Sequence, residues 1–131
     1  MKELFDVHCH MVPGVDDGAA DLEESLAMLK MQHEDGVRKI IITPHYRRRM
    51  FETPAKKVHE QFLKLQEAAK KEYPDMSLYL GCELHSNMDL QDILEKRKYV
   101  TMAGSSYVLL EFSEGDSAQH IRERVYNVLS C

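Results

Sequence analysis

The stretch Leu4-Phe5-Asp6-Val7-His8-Cys9-His10 alternates, with Phe5, Val7 and Cys9 on one face and Asp6, His8 and His10 on the other. That is the period of a β-strand, so both imidazoles point the same way near its C-terminal end. Working outward, the apolar run Val37 to Thr43, with Ile40-Ile41-Ile42 at its centre, reads as a strand covered on both faces and leads to His45. Leu78 to Cys82 forms a third strand that delivers Glu83, and Tyr107 to Leu110 a fourth that leads into Glu111. Each predicted strand therefore ends at a residue able to bind a metal. In α/β barrels the C-terminal ends of the strands carry the chemistry, because the loops converge there while the opposite rim serves stability.

Helical patterns separate these strands. Asp21 with Glu24 forms a predicted capping box, and Leu22, Leu26, Leu29 and His33 recur at helical spacing until Gly36. Thr53-Pro54 starts a second helix, with Pro54 at its first position and a stripe of Val58, Phe62, Leu65 and Ala69 that Tyr73-Pro74 terminates. Leu90, Ile93 and Leu94 mark a short third helix. Ser117 caps a fourth that carries Ile121, Val125, Val128 and Leu129. The order β-α-β-α-β-α-β-α, with short connections and no linker or low-complexity segment, predicts an α/β fold of parallel strands joined by right-handed crossovers. At 131 residues the chain is one domain, 1–131, short of the roughly 250 of a complete barrel. Half a barrel is the expectation, with an open edge that a homo-oligomer would cover.

Composition narrows the function. A hydrophobic fraction of 44% with 30% charged residues describes a globular protein, and no apolar run approaches the ~20 residues of a membrane helix. A net charge of -5 argues against nucleic acid, whose phosphates are held by clustered Lys and Arg. The N-terminus shows no secretory pattern, and Cys9, Cys82 and Cys131 do not form a disulfide framework, which together point to the cytoplasm.

An isolated His-x-His is as readily a pair of exposed histidines as a ligand pair. Its context here adds Asp17, in the turn Gly14-Val15-Asp16-Asp17-Gly18, together with His45, Glu83 and Glu111. This mixed nitrogen and oxygen set suits Mn, Fe or Zn. Glu83 and Glu111 end apolar strands, where an unpaired carboxylate is expensive to bury and a cation removes that cost. Arg47, Arg48 and Arg49 follow His45 directly and are the candidates to clamp a phosphoryl group. His33, His59 and His120 fall in helices away from the strand ends. His85 lies two residues beyond Glu83 and is assigned no role. Cys9 and Cys82 read as small buried hydrophobes, and neither is followed by the phosphate-binding arginine that a cysteine phosphatase needs.

Asp6-Val7-His8-Cys9-His10, Val15-Asp16-Asp17-Gly18, Thr43-Pro44-His45, Met50-Phe51-Glu52, Gly81-Cys82-Glu83-Leu84 and Leu110-Glu111-Phe112 together resemble the polymerase and histidinol phosphatase (PHP) superfamily. Within it the chain is similar to the bacterial manganese-dependent protein-tyrosine phosphatases of capsule and exopolysaccharide synthesis. The resemblance covers the whole chain and implies the N-terminal half of a distorted, TIM-like (β/α)7 barrel with a three-metal Mn2+ centre. It implies that His8, His10 and Glu83 serve one ion, that Glu83 bridges to a second held also by Glu111, and that Asp17 and His45 serve a third. It further implies catalysis aided by Arg47 and Arg48, substrate binding by Arg47, Arg48 and Arg49, and a tyrosine-phosphorylated kinase tail as partner. The family's chain continues past these motifs with a histidine, an arginine and an aspartate-histidine pair that have no counterpart here. The alternatives are a small-molecule phosphatase of the histidinol-phosphatase type and a non-catalytic metal-binding scaffold.

Overall fold

In the computed structural model, which describes residues 2–131, the predicted alternation is present, but the first strand ends at Asp6, leaving His8 and His10 beyond it, and a short extra strand follows each of the second and third predicted strands. In chain order the elements are β1 (Leu4–Asp6), α1 (Leu22–Glu34), β2 (Val37–Ile42), β3 (His45–Tyr46), α2 (Ala55–Glu72), β4 (Ser77–Leu80), β5 (Glu83–His85), α3 (Leu90–Lys96), β6 (Leu109–Glu111) and α4 (Ala118–Leu129). A short 3-10 turn at Met102–Gly104 precedes β6. Every pairing is parallel, in two three-stranded sheets ordered β1-β2-β4 and β3-β5-β6.

The breaks lie at matching heights. Thr43-Pro44 separates β2 from β3, where proline has no N–H to offer a ladder. Gly81-Cys82 separates β4 from β5. Hydrogen bonds carry the pairing across the gap: Thr43 N–H donates to Cys9 O at 2.9 Å, Gly81 N–H to Ile42 O at 2.8 Å and Glu83 N–H to Pro44 O at 2.9 Å. The two sheets are therefore joined into one continuous wall, whose second part carries His45, Glu83 and Glu111.

Helix ends follow the sequence with small offsets. The Asp21 carboxylate caps α1 by accepting from Glu24 N–H at 2.8 Å, while Glu24 reaches back to Ala20 N–H rather than to the cap residue. Gly36, at φ +92°, closes α1 in the left-handed conformation that glycine adopts at little cost. Pro54 occupies the N-cap of α2, so the helix starts at Ala55, one residue later than predicted. The stripe Val58, Phe62, Leu65 and Ala69 is buried as expected. It packs with Leu29, Ile40, Ile42 and Leu78 in the larger core, and Leu84, Met88, Leu90 and Val100 form a smaller core beneath the second sheet.

Two faces remain open. Leu4 and Phe5 of β1 and Val7 just after it are exposed, as are Val125, Tyr126 and Leu129 on α4, which has no buried residue. Among the described residues β1 pairs only with β2 and β6 only with β5. No helix of the described residues is long and apolar enough to cross a membrane.

Leu65 is fully buried and Leu63, on the same helix, is exposed. Leu65→Ala is expected to cost about 2–5 kcal/mol and Leu63→Ala within about 0.5 kcal/mol in urea unfolding. Equal losses would show that the α2 stripe does not anchor the core.

Candidate metal centre

The site begins with a turn that glycine makes possible. Gly18 packs against the backbone of His10 so closely that a Cβ there would lie 2.0 Å from the His10 carbonyl oxygen. This close approach brings Asp16 and Asp17 against the imidazoles. Asp16 Oδ1 accepts from Gly18 N–H at 2.9 Å, and Oδ2 accepts from His45 N–H and from His10 Nδ1, both at 3.0 Å. A backbone N–H can only donate, so the carboxylate is held by fixed donors. His10 Nδ1 must then carry its proton toward Asp16, which leaves the Nε2 lone pair facing Glu83 Oε1 at 3.0 Å.

Glu83 is the hub. Its Oε1 lies 2.6 Å from His8 Nε2, 3.0 Å from His10 Nε2 and 3.8 Å from His45 Nδ1. The rings are packed as a unit. His10 and His45 stack with centroids 4.3 Å apart, and Phe51 stacks on His45 at 5.2 Å. Arg97 holds this corner from behind, its guanidinium 3.6 Å above the Tyr46 ring and bonded to Thr53 O at 2.9 Å.

All six expected ligands meet at this rim. Three sets have ligand atoms within 4.8 Å of one another: His8, His10 and Glu83; His10, Asp17 and His45; and His45, Glu83 and Glu111. Glu83 and His10 are each shared between two sets. His45 is also shared, joining the Asp17 set to the Glu111 set. In the last set, His45 Nδ1 and Glu111 Oε1 are buried without a hydrogen-bond partner and stand 3.6 Å apart. An ion bound at about 2.1 Å keeps neighbouring ligand atoms roughly 3.0–3.5 Å apart, so a small contraction would bring these two orphaned atoms onto one divalent cation.

The arginines divide. Arg47 is half-buried, and its Nη2 reaches Ser113 Oγ at 3.5 Å beside Glu111. Arg48 and Arg49 are exposed, without a side-chain hydrogen bond or ion pair among the described residues. The remaining histidines lie elsewhere. His33 bonds Asp75 at 3.0 Å, His59 stacks on Tyr99, and His120 meets the edge of Phe112. Burial pushes the Cys82 thiol up to about 12, and burial with the nearby Asp6 does the same to Cys9, so neither is a thiolate near neutrality.

Residues 4–131 match the family model described as capsular polysaccharide synthesis, CpsB/CapC. The chain belongs to the CpsB/CapC family. It is 40% identical over 126 residues to tyrosine-protein phosphatase CpsB of Streptococcus pneumoniae, covering 96% of this chain and 52% of that protein. It is 27% identical over 125 residues to tyrosine-protein phosphatase YwqE of Bacillus subtilis, covering 95% and 49%. A crystal structure from the pair YwqE and CpsB, described as unique metal-dependent tyrosine phosphatases, superposes with a TM-score of 0.85 at 27% identity, over 97% of this chain and 51% of the other. The chain thus spans about half the length of the curated relatives it matches. The α/β partial barrel is the expected fold.

Two contributors escaped the sequence reading. Asp16 had a signal, since Asp followed two residues later by Gly is an Asx-turn pattern. Ser113, which follows Glu111 by two residues, had none.

The Asp16–His10 contact makes stability depend on pH. The hydrogen bond to Asp16 raises His10 above 6.5 despite burial, and burial that would raise Asp16 is outweighed by its hydrogen bonds, chiefly from His10, which hold it below 3.8. The His10 contribution is complete below 6.5 and is lost as pH rises through its raised folded value. The Asp16 contribution is complete above 3.8 and is lost as pH falls through its lowered one. In chelator, urea unfolding of wild type and Asp16→Asn should therefore differ most between pH 3.8 and 6.5. A difference independent of pH would refute the coupling.

Proposed function

We propose that this chain supplies the metal centre of a metal-dependent protein-tyrosine phosphatase of capsule and exopolysaccharide synthesis. The observation that carries the proposal is the buried Glu83 carboxylate, faced by His8, His10 and His45, beside the orphaned His45 Nδ1 and Glu111 Oε1. Buried carboxylates without a compensating cation are costly, and this donor set suits a divalent ion. His8, His10 and Glu83 hold one ion and Glu83 and Glu111 a second, toward which His45 Nδ1 points, while Asp17, 3.6 Å from His45 Nε2, marks a third with His45; Mn2+ is the proposed metal. The CpsB and YwqE relatives, named tyrosine-protein phosphatases, support the same reading.

Bound divalent ions supply Lewis acidity, which makes a water nucleophilic near neutrality and neutralises charge on phosphoryl oxygens. The chain's own residues prepare the place for this. Asp16 keeps a proton on His10 Nδ1 and so keeps Nε2 free to ligate. Phe51 covers one face of the His45 ring and excludes water from it. Arg47 leans over the rim and offers a guanidinium to the phosphoryl oxygens, while Arg48 and Arg49 add positive charge on the same turn. A tyrosyl group, with a pKa near 10, leaves comparatively easily.

The proposed substrate is the phosphorylated, tyrosine-rich tail of a bacterial tyrosine kinase, met in the cytoplasm, where three free cysteines fit a reducing environment. A second copy of the chain is the proposed cover for the exposed β1 and β6 edges. Light scattering that finds a well-folded monomer would count against it.

Hydrolysis of a phosphotyrosyl peptide should appear with Mn2+, vanish with chelator, and exceed hydrolysis of histidinol phosphate. His8→Ala and Glu83→Ala should lose bound metal and at least about 100-fold in turnover, given that even outer partners of such ligands are worth 10–100-fold. Metal bound without any turnover would identify a scaffold instead. Undiminished turnover in Glu83→Ala would end the proposal.

A further inference from the structure

Past the ligand-type residues of the second sheet stand three further polar side chains: His85 within β5, in register with Glu111, and Arg47 and Ser113 just beyond the ends of β3 and β6. These three meet. His85, almost fully buried, lies 3.0 Å from Ser113 Oγ through Nε2, and Arg47 Nη2 approaches the same oxygen at 3.5 Å.

The proton positions follow from which groups can only donate. Asn87 N–H bonds His85 Nδ1 at 3.1 Å, and a backbone N–H has nothing to accept with. His85 Nδ1 is therefore the bare nitrogen, and Nε2 carries the proton and donates it to Ser113 Oγ. The Arg47 guanidinium likewise only donates. A serine hydroxyl has two acceptor positions and one proton. With both acceptor positions taken by His85 and Arg47, the Ser113 O–H can act only as a donor, and no described residue accepts it.

We infer that the Ser113 hydroxyl and the Arg47 guanidinium form a two-donor subsite for a phosphoryl oxygen. Ser113 is a substrate-binding residue, and His85 is the positioning residue that turns its proton outward. This deepens the phosphatase reading and rests on it. A neutral serine that could also accept would tolerate a protonated or uncharged group at this point; one locked as a donor selects an anionic oxygen.

The test uses the Mn2+-loaded chain and inorganic phosphate, with calorimetry for affinity and metal analysis for loading. Ser113→Ala should bind phosphate about ten- to a hundredfold more weakly at unchanged metal content, the usual worth of a hydrogen bond to a charged group. Ser113→Thr, which keeps the hydroxyl, should restore binding. His85→Gln, whose amide can still donate to Ser113, should bind within a fewfold of wild type. Independently of metal, long-range proton–nitrogen NMR on the chelated protein should show the His85 proton on Nε2. A Ser113→Ala protein that binds phosphate like wild type, or a His85 proton on Nδ1, overturns this inference and leaves the phosphatase reading intact. A wild-type chain that loads Mn2+ and binds no phosphate overturns both.

Discussion

Glu83 is the constraint around which the rest is arranged. Its carboxylate sits 7% exposed at the start of a strand whose residues are all buried, where an isolated charge is not tolerated. Imidazoles from two separate segments of chain converge on one of its oxygens. The strands of the wall are interrupted just before the site, between Ile42 and His45 and between Leu80 and Glu83. Pro44 supplies one break by withholding an N–H. At the other, Gly81 packs against Met102 and Ile41, where an added Cβ would be crowded.

Hydrogen bonds among the site residues do not finish the task of neutralising this cluster. Asp16 is fully provided for, with donors from His10 and from the backbone of Gly18 and His45. Glu111 and His45 are not, since each keeps a buried polar atom with no partner. Protonating His45 would give that nitrogen a hydrogen to offer, but 3.6 Å to Glu111 is too long for a strong bond. Contracting the set around a cation satisfies both atoms at once, which is why metal fits the site better than a network of ion pairs.

Much of this was legible in the sequence, for identifiable reasons. The alternation of Leu4 to His10 predicts that His8 and His10 share a face, and both do reach Glu83 although β1 itself ends at Asp6; the Ile40-Ile41-Ile42 run demands burial on both sides, so the element order follows from period and position. The breaks within the wall were not legible. Thr43-Pro44 and Gly81-Cys82 read equally well as strand ends, and only the pairing of Gly81 with Ile42 and of Glu83 with Pro44 shows that the ladder continues. The open faces were hidden for a related reason. The stripe on α4 has the spacing of a buried surface, yet Leu129 is 77% exposed, because periodicity declares which side chains share a face and not what lies against it. Ser113 was silent because a serine past a strand end has no pattern. Its meaning comes from the two donors aimed at it.

Two groups of side chains divide the work by charge. One gathers carboxylates and imidazole nitrogens, groups that accept and so attract cations. The other, Arg47, the Nε2–H of His85 and the Ser113 hydroxyl, presents donors and so attracts anions. Under the proposed function, a phosphoryl group held between cations and these donors would have its oxygens neutralised from both sides, which matters most as charge spreads over them. Arginine suits this place better than lysine. A guanidinium can spend one N–H on Ser113 and keep four others in a fixed plane, whereas an ammonium would turn toward whichever carboxylate was nearest and compete with the metals for it.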